Sequence, residues 1–330
     1  MRGIVVGLGS MGKRRIRLMQ SFFKDMELCG VDASDARREE AASLFSIPTY
    51  DSVEAAMAFS PAVGFVCTGP LAHAGIIRSL LERGLHVFTE INLVADGYAE
   101  NTALAEQKGL TLFLSSTQLY RRETRYIEDT AKKAAGPLTY RYRVGQYLPD
   151  WHPWENYKSF FVGDRRTNGC REIFAIELPW LVSAFGEIVR FDAVLTKQTA
   201  LYADCHDGAF VTLTHASGAV GQFAADVVAR RAIRSFELTG EDIFLTWGGT
   251  PSSLSVLDME TKKETTVDVY GAVLHDDRYA ANIVENAYVD ELAAFFDTLA
   301  GKTARRHSFA DDAALLRVID GIEDQKTVEL

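Results

Sequence analysis

Three glycines in the spacing GxGxxG follow the first apolar run of the chain, residues 3–6, and precede a helical pattern over residues 12–23. The motif consists of Gly7, Leu8, Gly9, Ser10, Met11 and Gly12. The first glycine of such a motif permits a tight turn, the second lets the backbone approach a pyrophosphate, and the third lets the helix pack on the strand. A helix that begins there directs free N–H groups and its positive dipole end at the phosphates. The spacing therefore predicts a dinucleotide-binding turn.

An acidic residue, Asp32, ends the second apolar run, 20 residues beyond Gly12. A carboxylate at that position suits a hydrogen bond to the ribose 2′-hydroxyl of NAD and repels the 2′-phosphate of NADP. Arg37 and Arg38 follow soon after and keep NADP as the less favoured alternative. We therefore predict NAD as the cofactor. Further contacts are expected at the carboxyl end of the third apolar strand, where such sheets bind ligands. The residues there are Thr68, Gly69, Pro70 and His73.

The elements that must position these residues follow two patterns. Over residues 1–117 apolar strands alternate with helices, which indicates a doubly wound parallel sheet covered on both faces. The predicted strands are 3–6, 27–32, 62–67, 85–90 and 111–114, and the predicted helices are 12–23, 37–45, 73–83 and 99–108. From about residue 138 strands follow one another, which favours a largely antiparallel sheet. These strands are 139–144, 189–196, 208–216, 219–228, 234–240 and 243–247, with helices at 171–185, 282–300 and 311–322. The fold class is thus α/β, with a Rossmann domain over 1–118 and an α+β domain with an open sheet over 119–330.

Composition narrows the class of partner. The length of 330 residues suits two domains. The net charge of −10 argues against nucleic acid, and the short basic run Lys13, Arg14, Arg15 is too local to reverse this. No apolar run reaches the roughly 18 residues that span a bilayer, so we expect no membrane partner. The four cysteines lack CxxC spacing and the histidines lack metal-ligand spacing, so we expect no metal and a cytoplasmic location.

These motifs together resemble the Gfo/Idh/MocA oxidoreductases, named for glucose–fructose oxidoreductase and inositol dehydrogenase. The resemblance rests on the glycine motif, on Thr68-Gly69-Pro70 with His73, on 84–87 leading into Glu90, on the junction 118–122 and on the strand-rich second domain. It implies oxidation or reduction of a sugar or polyol-like compound bound between the domains. It also implies a homodimer or homotetramer formed through the C-terminal sheet. The stretch 147–151 resembles a narrower group of oxidoreductases from bacterial surface-sugar clusters.

The chain departs from the family at the groups that handle the substrate proton. The family usually has Glu-Lys-Pro after the fourth strand, whereas this chain has Glu90-Ile91-Asn92. The aspartate, histidine and aspartate of the family's substrate helix align with Ile173, Ile176 and Pro179. An isoleucine cannot donate, accept or hold a proton.

Other polar residues near the expected site are candidates for this role. The predicted catalytic residues are Glu90, Asn92, Glu177 and His152, with Lys158 as a further candidate, and Glu90 is also a candidate for the cofactor ribose. The predicted substrate-binding residues are Tyr120, Arg121, Trp151 and Glu172. Glu172 and Glu177 lie five apart on one helix and point roughly opposite ways, so we expect at most one in a pocket and the other as a solvated or salt-bridged surface group. A carboxylate in a closed apolar pocket has a raised pKa that suits acid–base work.

Three functional hypotheses follow. The leading one is an NAD-dependent oxidoreductase that transfers a hydride to or from a sugar, sugar derivative or polyol-like substrate. The second is a non-catalytic NAD-binding regulator or sensor of the same fold, which the missing lysine and histidine favour. The third is hydrolysis or elimination of a glycoside assisted by tightly bound NAD. The substrate and the direction of the reaction stay open at this point.

Overall fold

The computed structural model describes residues 1–151, 156–202, 205–276, 278, 280, 282–325 and 327–329. The chain divides into two units. Unit 1 comprises Met1–Ser116 and Tyr288–Ala313, and unit 2 comprises Thr117–Ala287 and Ala314–Leu330. The predicted domains, 1–118 and 119–330, are continuous and do not include the return of 288–313 to unit 1. As independently folding domains they stay a prediction.

Unit 1 contains a six-stranded parallel sheet in the order β3-β2-β1-β4-β5-β6. Its strands are β1 (Arg2–Val6), β2 (Glu27–Val31), β3 (Thr49–Tyr50), β4 (Val63–Val66), β5 (His86–Thr89) and β6 (Leu112–Leu114). The helices between them are α1 (Ser10–Phe22), α2 (Asp35–Phe45), α3 (Val53–Ala56), α4 (His73–Glu82) and α5 (Tyr98–Gln107). The predicted doubly wound parallel sheet is confirmed. The strand order reverses between β1 and β4, the position where such sheets bind ligands.

Aromatic side chains fill the core of unit 1. Phe65, Phe88 and Phe113 project from β4, β5 and β6 and are almost fully buried. Phe295 packs edge-on against all three, with ring centroids 5.5–5.6 Å apart. Edge-to-face packing of this kind adds to the stabilisation that the buried area supplies. The return of the chain at 288–313 therefore completes the core beneath the parallel sheet.

Unit 2 contains a sheet in the order β14-β13-β12-β11-β7-β10-β9-β8-β15 among the described residues. Its strands are β7 (Thr139–Gly145), β8 (Ile188–Lys197), β9 (Gly208–His215), β10 (Val220–Asp226), β11 (Ile233–Thr239), β12 (Phe244–Trp247), β13 (Leu254–Leu257), β14 (Glu264–Thr266) and β15 (Thr327–Glu329). Two neighbouring pairs, β7 with β10 and β8 with β15, are parallel, and the others are antiparallel. The largely antiparallel sheet is confirmed. The remaining helices are α6 (Arg122–Ala131), α7 (Gly169–Phe185), α8 (Glu285–Leu299) and α9 (Phe309–Glu323).

One face of this second sheet carries α7. Tyr142 of β7 packs between Trp180 of α7 and the ring of Phe223 of β10. The opposite face exposes apolar side chains, among which Val194 and Phe210 are 51% and 52% exposed. The alternation of buried and exposed residues along the strands therefore gives one packed face and one open face. Within the described ranges, no helix is both long and apolar enough to cross a membrane.

Candidate functional site

The glycine turn combines close packing with one open position. Gly7 has φ of +95°, and a Cβ there would lie 2.7 Å from the carbonyl oxygen of Cys67. A Cβ on Gly12 would lie 1.9 Å from the carbonyl oxygen of Gly7. A Cβ on Gly9, by contrast, would meet nothing within 4 Å. The first and third glycines thus pack the turn, and the second leaves space against bare backbone, as a pyrophosphate requires.

The start of α1 suits an anion. Gly9 is the N-cap residue and supplies no side-chain hydrogen bond, and the first turn contains no acidic residue. The N–H groups at a helix start lack partners within the helix and attract phosphate. Ser10 and Met11 form the first turn of this helix.

Asp32 is fixed beside the glycine turn. Its Oδ2 accepts a hydrogen bond of 2.8 Å from the backbone N–H of Leu8, and its Oδ1 accepts one of 2.9 Å from Ser34. Arg37 places a guanidinium nitrogen 3.8 Å from Oδ2 and is itself half-exposed. Arg38 donates to the carbonyl oxygen of Asp32 at 2.7 Å. The carboxylate is therefore oriented for a ribose, while Arg37 is the nearby cation that a 2′-phosphate would need.

Thr68 lies against the glycine turn, on the side of Gly7. Its Cγ2 would lie 2.9 Å from a Cβ on Gly7, so the two residues are in direct contact. Its Oγ1 is buried and has no hydrogen-bond partner among the residues described. Burying a hydroxyl without a partner costs free energy, and a bound polar ligand would remove that cost. The open space at Gly9, the oriented Asp32 and the unpaired Thr68 hydroxyl together fit a dinucleotide.

His73 and Asn92 hold the Thr68 loop from behind. His73 is 2% exposed, and its Nε2 lies 2.9 Å from the carbonyl oxygen of Thr68. Its Nδ1 lies 2.6 Å from Oδ1 of Asn92. Burial lowers the pKa of His73, so the ring is neutral and carries a single N–H. That hydrogen belongs on Nε2, since the carbonyl can only accept. Nδ1 is then an acceptor, and the Asn92 amide is its donor when the amide nitrogen faces the ring. Gly69 and the buried Pro70 continue this loop into α4.

Glu90 is engaged by an arginine that we did not predict as part of the site. Arg15 of α1 is fully buried and contacts Oε1 and Oε2 of Glu90 at 2.5 and 3.2 Å. The same guanidinium contacts Glu291 at 2.7 Å. A carboxylate held in this way is a poor general base, because proton uptake would break its pair with Arg15. Arg14 and Arg15 of the short basic run are therefore buried.

Glu172, near the start of α7, has a raised pKa and an unpaired carboxylate oxygen. Gly169 packs against Leu148, Val227 and the ring of Trp151. One turn later, burial raises the pKa of Glu172 to about 8. Its Oε2 is inaccessible to solvent and has no hydrogen-bond partner among the described residues. A carboxylic acid that titrates near neutrality can both donate and accept a proton under physiological conditions.

Glu177 is buried in an ion pair. Arg234 of β11 contacts its Oε1, while Tyr142 and Trp180 donate to its Oε2 at 2.7 and 2.9 Å. We expected a solvated or salt-bridged surface group at one of the two glutamates; Glu177 is salt-bridged but buried, because Arg234 reaches under the helix from the sheet. The full set of donors favours a structural role for Glu177.

The remaining candidates are placed as follows. Arg121 is buried, pairs with Glu123 through two hydrogen bonds of 3.0 and 3.1 Å, and donates to the carbonyl oxygens of Gly249 and Asn282. Tyr120 is buried beside it in the chain. These contacts engage Arg121 within unit 2. His152 lies outside the described residues. Within the parts of the chain that the structure describes, no three His, Cys, Asp or Glu side chains are grouped as a metal would require.

A family model matches the first part of the chain. Residues 1–116 match the Gfo/Idh/MocA model, which is described as an oxidoreductase family with an NAD-binding Rossmann fold. The resemblance drawn from the motifs is thereby confirmed, as are the oxidoreductase class and the NAD-binding fold. A search of curated proteins finds no match.

Solved structures of this fold cover nearly the whole chain. One is a UDP-N-acetylglucosamine 3-dehydrogenase from Acidithiobacillus ferrooxidans, with 16% identity and a TM-score of 0.76, covering 98% of this chain and 96% of that one. Another is a 3-ketoreductase from Actinomadura kijaniata, in complex with NADP and TDP-benzene, with 14% identity and a TM-score of 0.80, covering 100% and 99%. A third is an oxidoreductase from Agrobacterium radiobacter, in complex with NAD+, L-tartaric acid and magnesium, with 13% identity and a TM-score of 0.78, covering 97% and 94%. At these identities the likeness establishes the fold of both units.

Proposed function

We propose that this protein is an NAD-dependent oxidoreductase that interconverts a secondary alcohol and a ketone on a sugar, with nucleotide-linked sugars as the preferred substrate class. The observation that carries the proposal is the cradle formed by Gly9, Asp32 and the unpaired Thr68 hydroxyl. Bound NAD supplies the hydride acceptor, and the protein supplies orientation and a proton-transfer group. The substrate class is supported by relatives of this fold that are named for UDP-linked sugars.

Glu172 is the residue that we propose for proton transfer. Oxidation of an alcohol releases the hydroxyl proton as the carbon–oxygen bond becomes a carbonyl, and a base must take that proton. Glu172 combines a buried, unpaired oxygen with a pKa of about 8. Glu90 and Glu177 are less suited to accept the proton, because each is paired with an arginine. Oxidation should therefore become faster as the pH rises through the pKa of Glu172, and the reverse reduction should become slower.

The test measures formation of NADH at 340 nm with UDP-linked and TDP-linked hexoses, free hexoses and inositol, at pH 6.5 and 9. Glu172→Gln should retain NAD binding and lose turnover. The matched control is Glu187→Gln, an exposed glutamate just beyond the same helix, which should behave as wild type. NAD binding without turnover of any compound would refute the enzyme and support the NAD-binding regulator. Release of product without net NADH would support glycoside cleavage instead.

We also propose that the open sheet face of unit 2 forms a homo-oligomer. Val194 and Phe210 are direct neighbours across β8 and β9, and both are exposed on this face. Val220, at the start of β10, adds to the same apolar surface. Exposed apolar patches of this kind mark interaction surfaces. Light scattering of wild type and Phe210→Asp should show loss of the oligomer in the variant, and a monomeric wild type would refute the proposal.

A further inference from the structure

The loop between β10 and β11 carries two adjacent arginines, Arg230 and Arg231. Both are exposed, and neither forms an ion pair with a residue that the structure describes. Arg171 and Arg234 of the same unit, by contrast, are paired with carboxylates. A guanidinium has five N–H donors and no acceptor, so it is suited to bind an anion. The loop therefore offers unpaired guanidinium groups to a ligand.

An aromatic ring holds Arg230 in place. The guanidinium carbon of Arg230 lies over the ring of Tyr147, 3.8 Å from the ring centroid. A guanidinium is attracted to an aromatic face by its charge and by its flat shape. Its N–H groups lie in its own plane, so they stay available to a planar set of acceptors. Arg230 is therefore a positioned donor.

The backbone around Arg230 and Tyr147 is fixed by hydrogen bonds. Oδ1 of Asp226 accepts from the backbone N–H groups of Val228 and Ala229 at 3.1 and 2.7 Å, which shapes the start of the loop. The N–H of Leu148 donates to the carbonyl oxygen of Val227 at 2.9 Å, which joins the segment after β7 to this loop. The arrangement of the arginine on the tyrosine ring is thus built on two segments that are bonded to each other.

A second tyrosine and a lysine lie beside Tyr147. Burial raises the pKa of Tyr157, and the neighbouring Tyr147 adds to the rise, so the two phenols are close together. The Tyr157 hydroxyl donates to the carbonyl oxygen of Leu201 at 2.8 Å. Nζ of Lys158 lies 6.0 Å from the centroid of the Tyr157 ring, and Lys158 has no carboxylate partner in the described part of the chain. We refer to Tyr147, Tyr157, Lys158 and Arg230 as the Arg230 site.

The acids of this region do not occupy the cations of the Arg230 site. Oδ2 of Asp226 is 3.4 Å from a guanidinium nitrogen of Arg143. Asp207 accepts from the backbone N–H groups of residues 198 and 199 at 2.8 and 2.7 Å. Asp150 is exposed and forms no ion pair with Arg230 or Lys158. An added anion would therefore not have to displace a carboxylate.

The Arg230 site lies at the edge of the second sheet where α7 begins. The strands β7 and β10 run parallel and end at this edge. Gly169 is the first residue of α7, and a Cβ there would lie 2.8 Å from Val227, three residues before Arg230. Glu172 follows one turn later on the same helix. The Arg230 site and the group that we propose for proton transfer are therefore at the same end of unit 2.

We propose that the Arg230 site binds the diphosphate of a nucleotide-linked sugar and so selects such substrates over free sugars. The guanidinium fork of Arg230 matches two phosphate oxygens, and Lys158 adds a second positive charge. This inference rests on the proposed function and assigns to it the residues that recognise the substrate. Arg230 is a specificity-determining residue, and Tyr147 is its positioning residue.

The first experiment measures the Kd of UDP by calorimetry on the full chain with saturating NAD, which keeps UDP out of the cofactor turn. Arg230→Met should weaken UDP binding by about tenfold or more, because it removes a charge-assisted, bidentate contact. Tyr147→Ala should weaken it as well, whereas Tyr147→Phe keeps the ring and should bind as wild type. Arg317→Met is the matched control, since Arg317 is exposed on α9 without an ion pair to any described residue. It should leave the Kd of UDP unchanged.

The second experiment compares substrates by their formation of NADH. Arg230→Met should raise the KM of UDP-linked hexoses by about tenfold or more and change kcat by less than about twofold, because the diphosphate is bound equally before and during the reaction. The KM of free hexoses should stay at the wild-type value. Arg230→Lys keeps the charge without the fork and should fall between wild type and Arg230→Met. It also replaces Arg230→Met if the latter does not fold.

The outcomes separate this inference from the proposed function. If Arg230→Met weakens UDP binding and no sugar yields NADH with wild type, the proposed function fails and the inference stands. If wild type oxidises sugars but does not bind UDP, or binds it as tightly as Arg230→Met does, only the inference is overturned. It is also overturned if Arg230→Met weakens a hexuronate and not UDP, because the site then recognises a carboxylate.

Discussion

Alanine at Gly9 and at Gly12 should separate cofactor binding from folding. Both substitutions add one methyl group within the same turn, and they differ in what that group meets. At Gly9 the new Cβ has nothing within 4 Å, so the folded protein accommodates it. At Gly12 the new Cβ lies 1.9 Å from the carbonyl oxygen of Gly7, which is backbone and cannot rotate away. The first change should affect the ligand, and the second should affect the fold.

The magnitudes follow from these distances. Gly9→Ala relieves no strain and fills only open space, so we expect the free energy of unfolding to change by less than about 0.5 kcal/mol. Gly12 is in a helix, where alanine would gain about 1 kcal/mol from propensity. Helix and strand must, however, separate by about 1 Å to admit the methyl group, at a cost of roughly 3 kcal/mol or more. The net effect of Gly12→Ala is therefore a loss of about 2 kcal/mol or more.

Urea unfolding and calorimetry with NAD test both halves of this reasoning. Gly9→Ala should unfold at the wild-type urea concentration and bind NAD at least about tenfold more weakly, because the methyl group fills the position of the pyrophosphate. Gly12→Ala should unfold at a clearly lower concentration. If Gly9→Ala binds NAD with wild-type affinity while remaining folded, the open space at Gly9 is not the pyrophosphate site, and the proposed cradle is refuted.

Three further changes test other parts of the structure. Asp32→Ser should lower the ratio of the Kd of NADP to the Kd of NAD by about tenfold or more, because it removes a charge that repels the 2′-phosphate and leaves Arg37 in place. An unchanged ratio would contradict this. Arg234→Met should lower the free energy of unfolding by about 3 kcal/mol or more, because it leaves Glu177 buried without its partner; urea unfolding at pH 7 measures this. In wild type the free energy of unfolding should fall between pH 5 and 8 through Glu172, whose folded pKa of about 8 exceeds the ordinary value of 4.5, so that the folded state binds more protons over this range. In Glu172→Gln, the part of the fall in the free energy of unfolding that comes from Glu172 should be absent.

The cofactor half of the molecule was predictable because local patterns determine it. The glycine spacing, Asp32 and the apolar strands of unit 1 are each signals within a few residues, and the structure has β1, β2 and β4 within one residue of the predicted bounds. In unit 1, β3 with two residues and α3 with four were missed because they are too short to show a period. In unit 2, the helix α6 and the strands β13, β14 and β15 were missed, and β14 has three exposed residues and no apolar signal.

The ion pairs were not predictable from local patterns. Arg15 and Glu291 are 276 residues apart, and Glu177 and Arg234 are 57 apart. Nothing in the spacing of charges along the chain marks such pairs, and charged residues are usually exposed. One signal was available: Arg15 precedes Leu18 and Met19 by three and four residues, so the helical period of α1 places it on the same apolar face. A charged residue on the buried face of a helix requires a buried partner.

The same principle distinguishes residues that serve the fold from residues that serve a ligand. Glu90, Glu177 and Arg121 are buried, and their charges are matched by partners of opposite sign, so they stabilise the protein as it stands. Thr68 and Glu172 each bury an oxygen that no described residue satisfies. An unpaired buried polar atom costs about 1–3 kcal/mol, and a hydrogen bond to a ligand would offset that cost. These two oxygens lie at the carboxyl edge of β4 and near the start of α7, where we propose the cofactor contact and the proton-transfer group, so they support the proposed enzyme over a protein that has lost its chemistry.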